Sequence, residues 1–87
     1  MDEDLETRRK RLRYRSWHRG TKELDLVLGQ FAERHLAAMS ELEMAQYEAI
    51  LEEDEQDIYA WLARREPAPE RHDNAVMKLI LNFKMSA

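Results

Sequence analysis

From Thr21 onward the apolar residues recur at helical spacing: Leu24, Val27, Leu28, Phe31 and His35 trace the i, i+3, i+4, i+7 stripe of a buried helix face. This pattern predicts a helix running to about Ala38. Gly29 lies inside it at a disadvantage of about 1 kcal/mol relative to Ala, which predicts close packing by another helix or a local break. Residues 5–16 predict a weaker helix, with Leu5 and Leu12 on one face and Arg8, Arg9, Lys10, Arg11, Arg13 and Arg15 crowding the rest. Repulsion among these cations has to be relieved by solvent, neighbours or a partner. Ser40-Glu41-Leu42-Glu43 has the form of a capping box and opens a third helix with Met44, Tyr47, Ile50 and Leu51 inward. That helix should stop near Glu52, where consecutive acids oppose the negative end of its dipole. Asp54 as N-cap, with Asp57 at the third helical position, moves those acids to the favourable end of a fourth helix. Ile58, Trp61 and Leu62 form its inner face, and Pro67 and Pro69 end it. The last periodic segment, Glu70 to Phe83, aligns Val76, Leu79, Ile80 and Phe83, flanked by Met77 and Leu81. These elements predict an all-α, compact five-helix bundle forming a single domain over residues 1–87, with residues 1–4 and 84–87 as loose ends.

Composition narrows the picture. A chain of 87 residues with 44% hydrophobic and 37% charged positions, two glycines and two prolines suits one small helical core. It has no cysteine, so disulfides, thiolate nucleophiles and cysteine-based zinc sites are excluded. The net charge of -4 conceals a separation. Arg8 to Lys22 is basic without a single acid, and Glu41 to Asp57 is acidic without a single base, so the molecule is expected to be an electric dipole. No apolar run approaches the roughly 20 residues of a membrane span. Asp2, Glu3, Asp4 and Glu6 contradict the acid-poor composition of a mitochondrial transit peptide, and a cytoplasmic location is the expectation.

Catalytic chemistry finds little support. His18, His35 and His72 lack the i, i+4 spacing of helical metal ligands, and the acids from Asp54 to Asp57 lack the loop of an EF-hand. The arginine run with Tyr14 and Trp17 suits a nucleic-acid arm, and a small nucleic-acid-binding regulator is the alternative reading. The acidic remainder argues against it, and a steered protein contact fits the charge pattern equally well. An antitoxin-like binding module is a third option.

The densest candidate is Arg19-Gly20-Thr21-Lys22-Glu23, at the mouth of the second helix. A local explanation has Gly20 cap the helix and Glu23 accept its free amide. That explanation gives Arg19 no structural duty. A glycine also admits the backbone of a partner, and Arg19 and Glu23, about one helical turn apart, offer a donor fork beside an acceptor. The stretch reads equally well as a recognition tip.

Arg19, Gly20 and Glu23, followed by Leu24 and Asp25, reproduce the R-G-x-x-E hallmark of the small flavinylation factors of succinate dehydrogenase, also called succinate dehydrogenase assembly factor two. The chain resembles that family over most of its length. Tyr14 to Asp25 is similar to its lead-in and motif, and Ile50-Leu51, Asp54, Asp57-Ile58 and Trp61-Leu62 to its second signature. His18 departs from the pattern, standing where many members have a second arginine.

The resemblance implies a five-helix bundle that binds the flavoprotein subunit of succinate dehydrogenase, and also of fumarate reductase, and promotes covalent attachment of FAD to a histidine there. It implies a chaperone-like factor rather than an enzyme, with FAD belonging to the client and none held stably by this chain. Neither nucleic acid nor membrane insertion is expected, and the free protein is expected to be a monomer. Arg19, Gly20 and Glu23 would form the contact tip. Trp17, His18 and Asp25 complete the candidate contact set, and Arg8, Arg11, Arg13 and Arg15 join it on charge alone. Trp61 and Leu62 are assigned to the core.

Overall fold

The computed structural model describes residues 4–83 and contains five α-helices: α1 Leu5–Trp17, α2 Lys22–His35, α3 Glu41–Leu51, α4 Glu55–Leu62 and α5 Ala75–Leu81. Short 3-10 turns at Leu36–Ala38 and Glu70–His72 follow α2 and precede α5. The loose ends expected at residues 1–3 and 84–87 lie outside the described residues. Asp4 is not loose: its carboxylate accepts from the Thr7 amide at 2.7 Å and caps α1.

α1 and α2 form the most extensive helix pair, α1 also packs on α3, and α5 closes the bundle against α3 and α4. The expected apolar faces converge on one core. Leu24, Leu28 and Phe31 from α2, Met44, Tyr47, Ile50 and Leu51 from α3, and Ile58 and Trp61 from α4 are all buried, with Leu62 half-buried against them. Gly29 meets its predicted close approach, because the Trp17 ring of α1 lies over it. Ser40 and Glu43 form the capping box expected of them, at 3.1 and 2.9 Å.

Asp54 caps α4 as predicted, accepting from the Gln56 amide at 2.9 Å, with Asp57 at the third helical position. Two details differ from the sequence expectation. First, α4 ends well before Pro67. Arg64 adopts φ 61°, and the Arg64 and Arg65 amides donate back to the Trp61 and Ala60 carbonyls at 3.1 and 2.9 Å. This is a Schellman closure with arginine in the place usually held by glycine. The Arg64 guanidinium donates to the Leu81 carbonyl at 3.1 Å, so the strained residue also caps α5. Second, α5 is shorter than 70–83 because Asn74 starts it, accepting from the Met77 amide at 2.9 Å. Packing against α3 and α4 buries Met77 with Val76 and Ile80 and leaves Leu79 40% exposed.

One polar pair sits at the centre. Ser16 is fully buried, donates its hydroxyl hydrogen to the Leu12 carbonyl at 2.7 Å, and lies 2.6 Å from the Tyr47 hydroxyl. With the serine hydrogen so used, Tyr47 donates to Ser16 Oγ. Burial pushes the Tyr47 hydroxyl up to about 12, so it stays protonated as a donor. The two truncations should therefore differ. Ser16→Ala leaves the buried phenol only its longer contact with the Leu28 carbonyl at 3.5 Å and should destabilise by about 2 kcal/mol, whereas Tyr47→Phe leaves Ser16 bonded to Leu12 and should cost about 1 kcal/mol, both read by urea unfolding.

Candidate functional site

The chain reverses between α1 and α2 through His18, Arg19 and Gly20. Gly20 has φ 113°, a conformation that side-chain-bearing residues rarely adopt. Thr21 follows in extended geometry, and its hydroxyl accepts from the Leu24 amide at 3.3 Å. The cap of α2 is thus Thr21, which corrects the expectation of Gly20 with Glu23. An N-cap needs extended backbone and a side-chain acceptor, and Gly20 has neither. Moving the start by one residue frees Glu23, which is exposed and makes no hydrogen bond or ion pair among the described residues. Asp25 reaches back instead and accepts from the Arg19 and Gly20 amides at 2.6 and 3.3 Å. Placed in the candidate contact set by sequence, Asp25 is the side chain that ties the turn together.

Arg19 does have a structural duty, contrary to the sequence reading. Its side chain is half-buried and donates from Nη2 to the Glu53 carbonyl at 3.2 Å. Carbonyls just beyond a helix lack intrahelical donors, so a guanidinium at the end of α3 is favourable by about 0.3–1 kcal/mol. The Arg19 Nε–H is buried with no acceptor among the described residues. Glu55, at the start of α4, crowds the other side of the turn: a Cβ on Gly20 would stand 2.8 Å from its Oε1.

Glu53 extends this framework. Its carboxylate accepts from Arg71 Nε at 2.8 Å and lies 2.6 Å from His72 Nε2. The bond from Arg71, then that from His72, holds the Glu53 carboxyl down at about 2. One residue thus joins the Arg19 turn, through its backbone, to the Glu70–His72 segment, through its side chain. Nothing in the periodicity points to this link. The depressed pKa means the unfolded chain binds the extra proton first. The stability Glu53 contributes is therefore complete above its ordinary value of 4.5 and is lost as the pH falls toward about 2. Urea midpoints should be level from roughly pH 7 to 5 and decline below that, and Glu53→Gln should flatten part of the decline.

The arginines of α1 are turned to internal use. Arg8 and Arg11 hold Glu48 at 3.2 and 2.9 Å, Arg15 lies 3.7 Å from Glu48 and 3.4 Å from Glu52, and Arg13 lies 3.8 Å from Glu33. Arg9 donates to the Leu36 and Met39 carbonyls. Burial pushes the half-buried Glu48 carboxyl up, but Arg11 and Arg8 outweigh it and hold it below the usual range. The basic and acidic poles seen in sequence therefore face one another, and the expected dipole is largely closed. Arg11 and Arg13 keep about two-fifths of their side chains exposed, at 41% and 43%, whereas Arg8 and Arg15 are mostly covered.

Trp17 packs its ring on Gly29 and donates Nε1–H to Glu33 at 3.1 Å. His18 is exposed and stacks on Tyr14 with ring centroids 4.2 Å apart. Beside the turn, a groove of about 540 Å³ is lined by Thr21, Glu23 and Leu24 on one side and Glu55, Gln56, Tyr59, Ala60 and Arg65 on the other. Arg19, Gly20, Glu23 and Asp25 are thus gathered at one turn, while Arg8, Arg11 and Arg15 lie along the α1–α3 seam. Among the described residues no group of three or more His, Asp or Glu could hold a metal ion, and no helix is long and apolar enough to cross a membrane.

Residues 10–84 match the family described as flavinator of succinate dehydrogenase. The chain belongs to this family. Among similar proteins, succinate dehydrogenase assembly factor 2, mitochondrial, of Candida glabrata is 38% identical over 87 aligned positions, covering 95% of this chain and 57% of that protein. The assembly factor 2-A proteins of Drosophila yakuba and Drosophila mojavensis, also named mitochondrial, are 40% and 41% identical over 81 positions, each covering 91% of this chain and 50% and 52% of theirs. This flavinator-family chain therefore spans a little over half the length of these relatives. Their names, which place those relatives in mitochondria, contradict the cytoplasmic location expected from sequence. The expectation rested on the lack of an address segment, and such a lack carries no compartment information of its own.

Proposed function

We propose that this flavinator-family protein is an assembly factor of succinate dehydrogenase that binds the flavoprotein subunit through the Arg19-to-Glu23 turn and promotes covalent attachment of FAD to it. Family membership over residues 10–84 carries the reading. The turn supports it: the bare backbone of Gly20 permits close approach, and Glu23 is exposed without an internal partner. Asp25 and Arg19 hold the turn in shape before any partner arrives, which lowers the ordering cost of binding.

The reaction joins two groups of the client, its flavin and its acceptor histidine. This chain acts by holding the client where they meet, since orientation alone is worth up to about 10 kcal/mol of barrier. FAD stays with the client, and the flavoprotein of fumarate reductase is a second client on the same resemblance. The nucleic-acid reading loses its main support, because the arginines it needs are engaged with Glu48 and Glu52. Deleting the gene should lower covalent flavin fluorescence on the denatured flavoprotein subunit at least about tenfold, with recovery on complementation. Unchanged labelling refutes the proposal.

A further inference from the structure

We propose that the groove between α2 and α4 receives a cationic segment of the client, an exposed arginine or lysine gripped by the carboxylates of Glu23 and Glu55 against the Tyr59 ring. The inference rests on the reading above and adds the chemistry of what is bound.

Several carboxylates that face other helices are matched by cations. Glu48 has Arg8 and Arg11, Glu53 has Arg71 and His72, Glu52 has Arg15, and Glu33 has Arg13 and Trp17. Glu23 and Glu55 both line the groove, and neither makes a hydrogen bond or ion pair among the described residues. Of the cations at the turn and the groove, Arg19 donates to the Glu53 carbonyl, and Arg65 lies over the Tyr59 ring at 5.5 Å from its centroid. Any partner that covers this groove desolvates two carboxylates, which is unfavourable unless it supplies positive charge. A neutral or acidic segment is therefore disfavoured and a basic one selected.

The rest of the lining suits the same occupant. Tyr59 is 41% exposed and already accepts one cation on its ring, so a guanidinium or the stem of a lysine has an aromatic surface to lie on. The groove is also continuous with the turn. Thr21 and Glu23 belong to both, and Glu55 occupies the space that a Gly20 side chain would take. A client seated on the Gly20 backbone thus meets Glu55 next.

The test measures affinity of the full chain for purified flavoprotein subunit of succinate dehydrogenase by titration at two salt concentrations, with circular dichroism confirming helicity of each variant. Glu55→Gln should weaken binding about tenfold and reduce its salt dependence, and Glu55→Arg should weaken it more than about a hundredfold. In an array of overlapping peptides from the subunit, those retained by the wild type and lost with Glu55→Arg should carry arginine or lysine. If helical Glu55→Arg binds within about threefold of wild type while Arg19→Ala fails, the groove proposal is wrong and the turn reading stands. Retained peptides without a cation overturn it equally. If the wild type itself does not bind the subunit, the turn reading fails and the groove's assignment to this client falls with it.

Discussion

Replacing Gly29 with alanine is expected to destabilise the protein by about 2 kcal/mol, although the same exchange in an unpacked helix stabilises by about 1 kcal/mol. A Cβ at this position would stand 2.2 Å from Trp17 Cδ2 and 2.3 Å from Cε3, well inside contact distance. The obstacle is a rigid indole, and it cannot swing clear cheaply. Its Nε1–H is bonded to Glu33 at 3.1 Å, and its helix forms the most extensive pair in the bundle with α2. Overpacking of this kind costs about 3 kcal/mol, from which the helix-propensity gain is subtracted. A melting temperature lower by roughly 10 °C, with altered tryptophan fluorescence, is the expected observation. An unchanged or raised melting temperature would show that α1 yields without penalty, and the close approach would then carry no stability.

Gly20→Arg is expected to reduce covalent flavin on the client at least tenfold while far-UV helicity is retained. At φ 113° any side chain strains the backbone, at a cost on the order of 1–3 kcal/mol. The turn can relieve that strain only by rotating peptides whose amides are bonded to Asp25. The new Cβ also displaces the Glu55 carboxylate, which as the end of a flexible side chain can move. The bundle should survive, then, with its contact surface altered. Unfolding of the variant would place the role of the glycine in the fold instead. Arg19→Ala is a less selective probe than the sequence suggests, because it also removes the donor to Glu53, and its flavinylation result has to be read beside a denaturation curve.

Features encoded within one turn of chain were readable without coordinates. Ser40 and Glu43 lie three residues apart, so their mutual capping needs no information from elsewhere. The inward faces of α2, α3 and α4 follow from helical period and apolarity in the same way. The differences lie where a helix starts at another residue than its pattern suggests or packs on another part of its face. Thr21 rather than Gly20 caps α2, which frees Glu23, and Asn74, four residues after Glu70, caps α5, whose packing buries Met77 and leaves Leu79 exposed. Propensity alone does not point to Arg64 as the end of α4, because arginine rarely adopts left-handed backbone and its guanidinium finds its acceptor, the Leu81 carbonyl, only in another helix.

The chain by itself determined the helical period, the local caps, the core stripe and the R-G-x-x-E turn, all of which depend on neighbours a few residues away. The tertiary structure alone decided which charges are spent and which remain available. Arg8 meets Glu48 across 40 residues, Arg19 reaches Glu53 across 34, and only such folding-dependent pairings distinguish a neutralised carboxylate from an open one. Glu23 and Glu55 line one groove without an ion pair among the described residues, because the cation that shares it, Arg65, lies over the Tyr59 ring. Ion pairing depends on distance in space, and a linear pattern of charge cannot supply it.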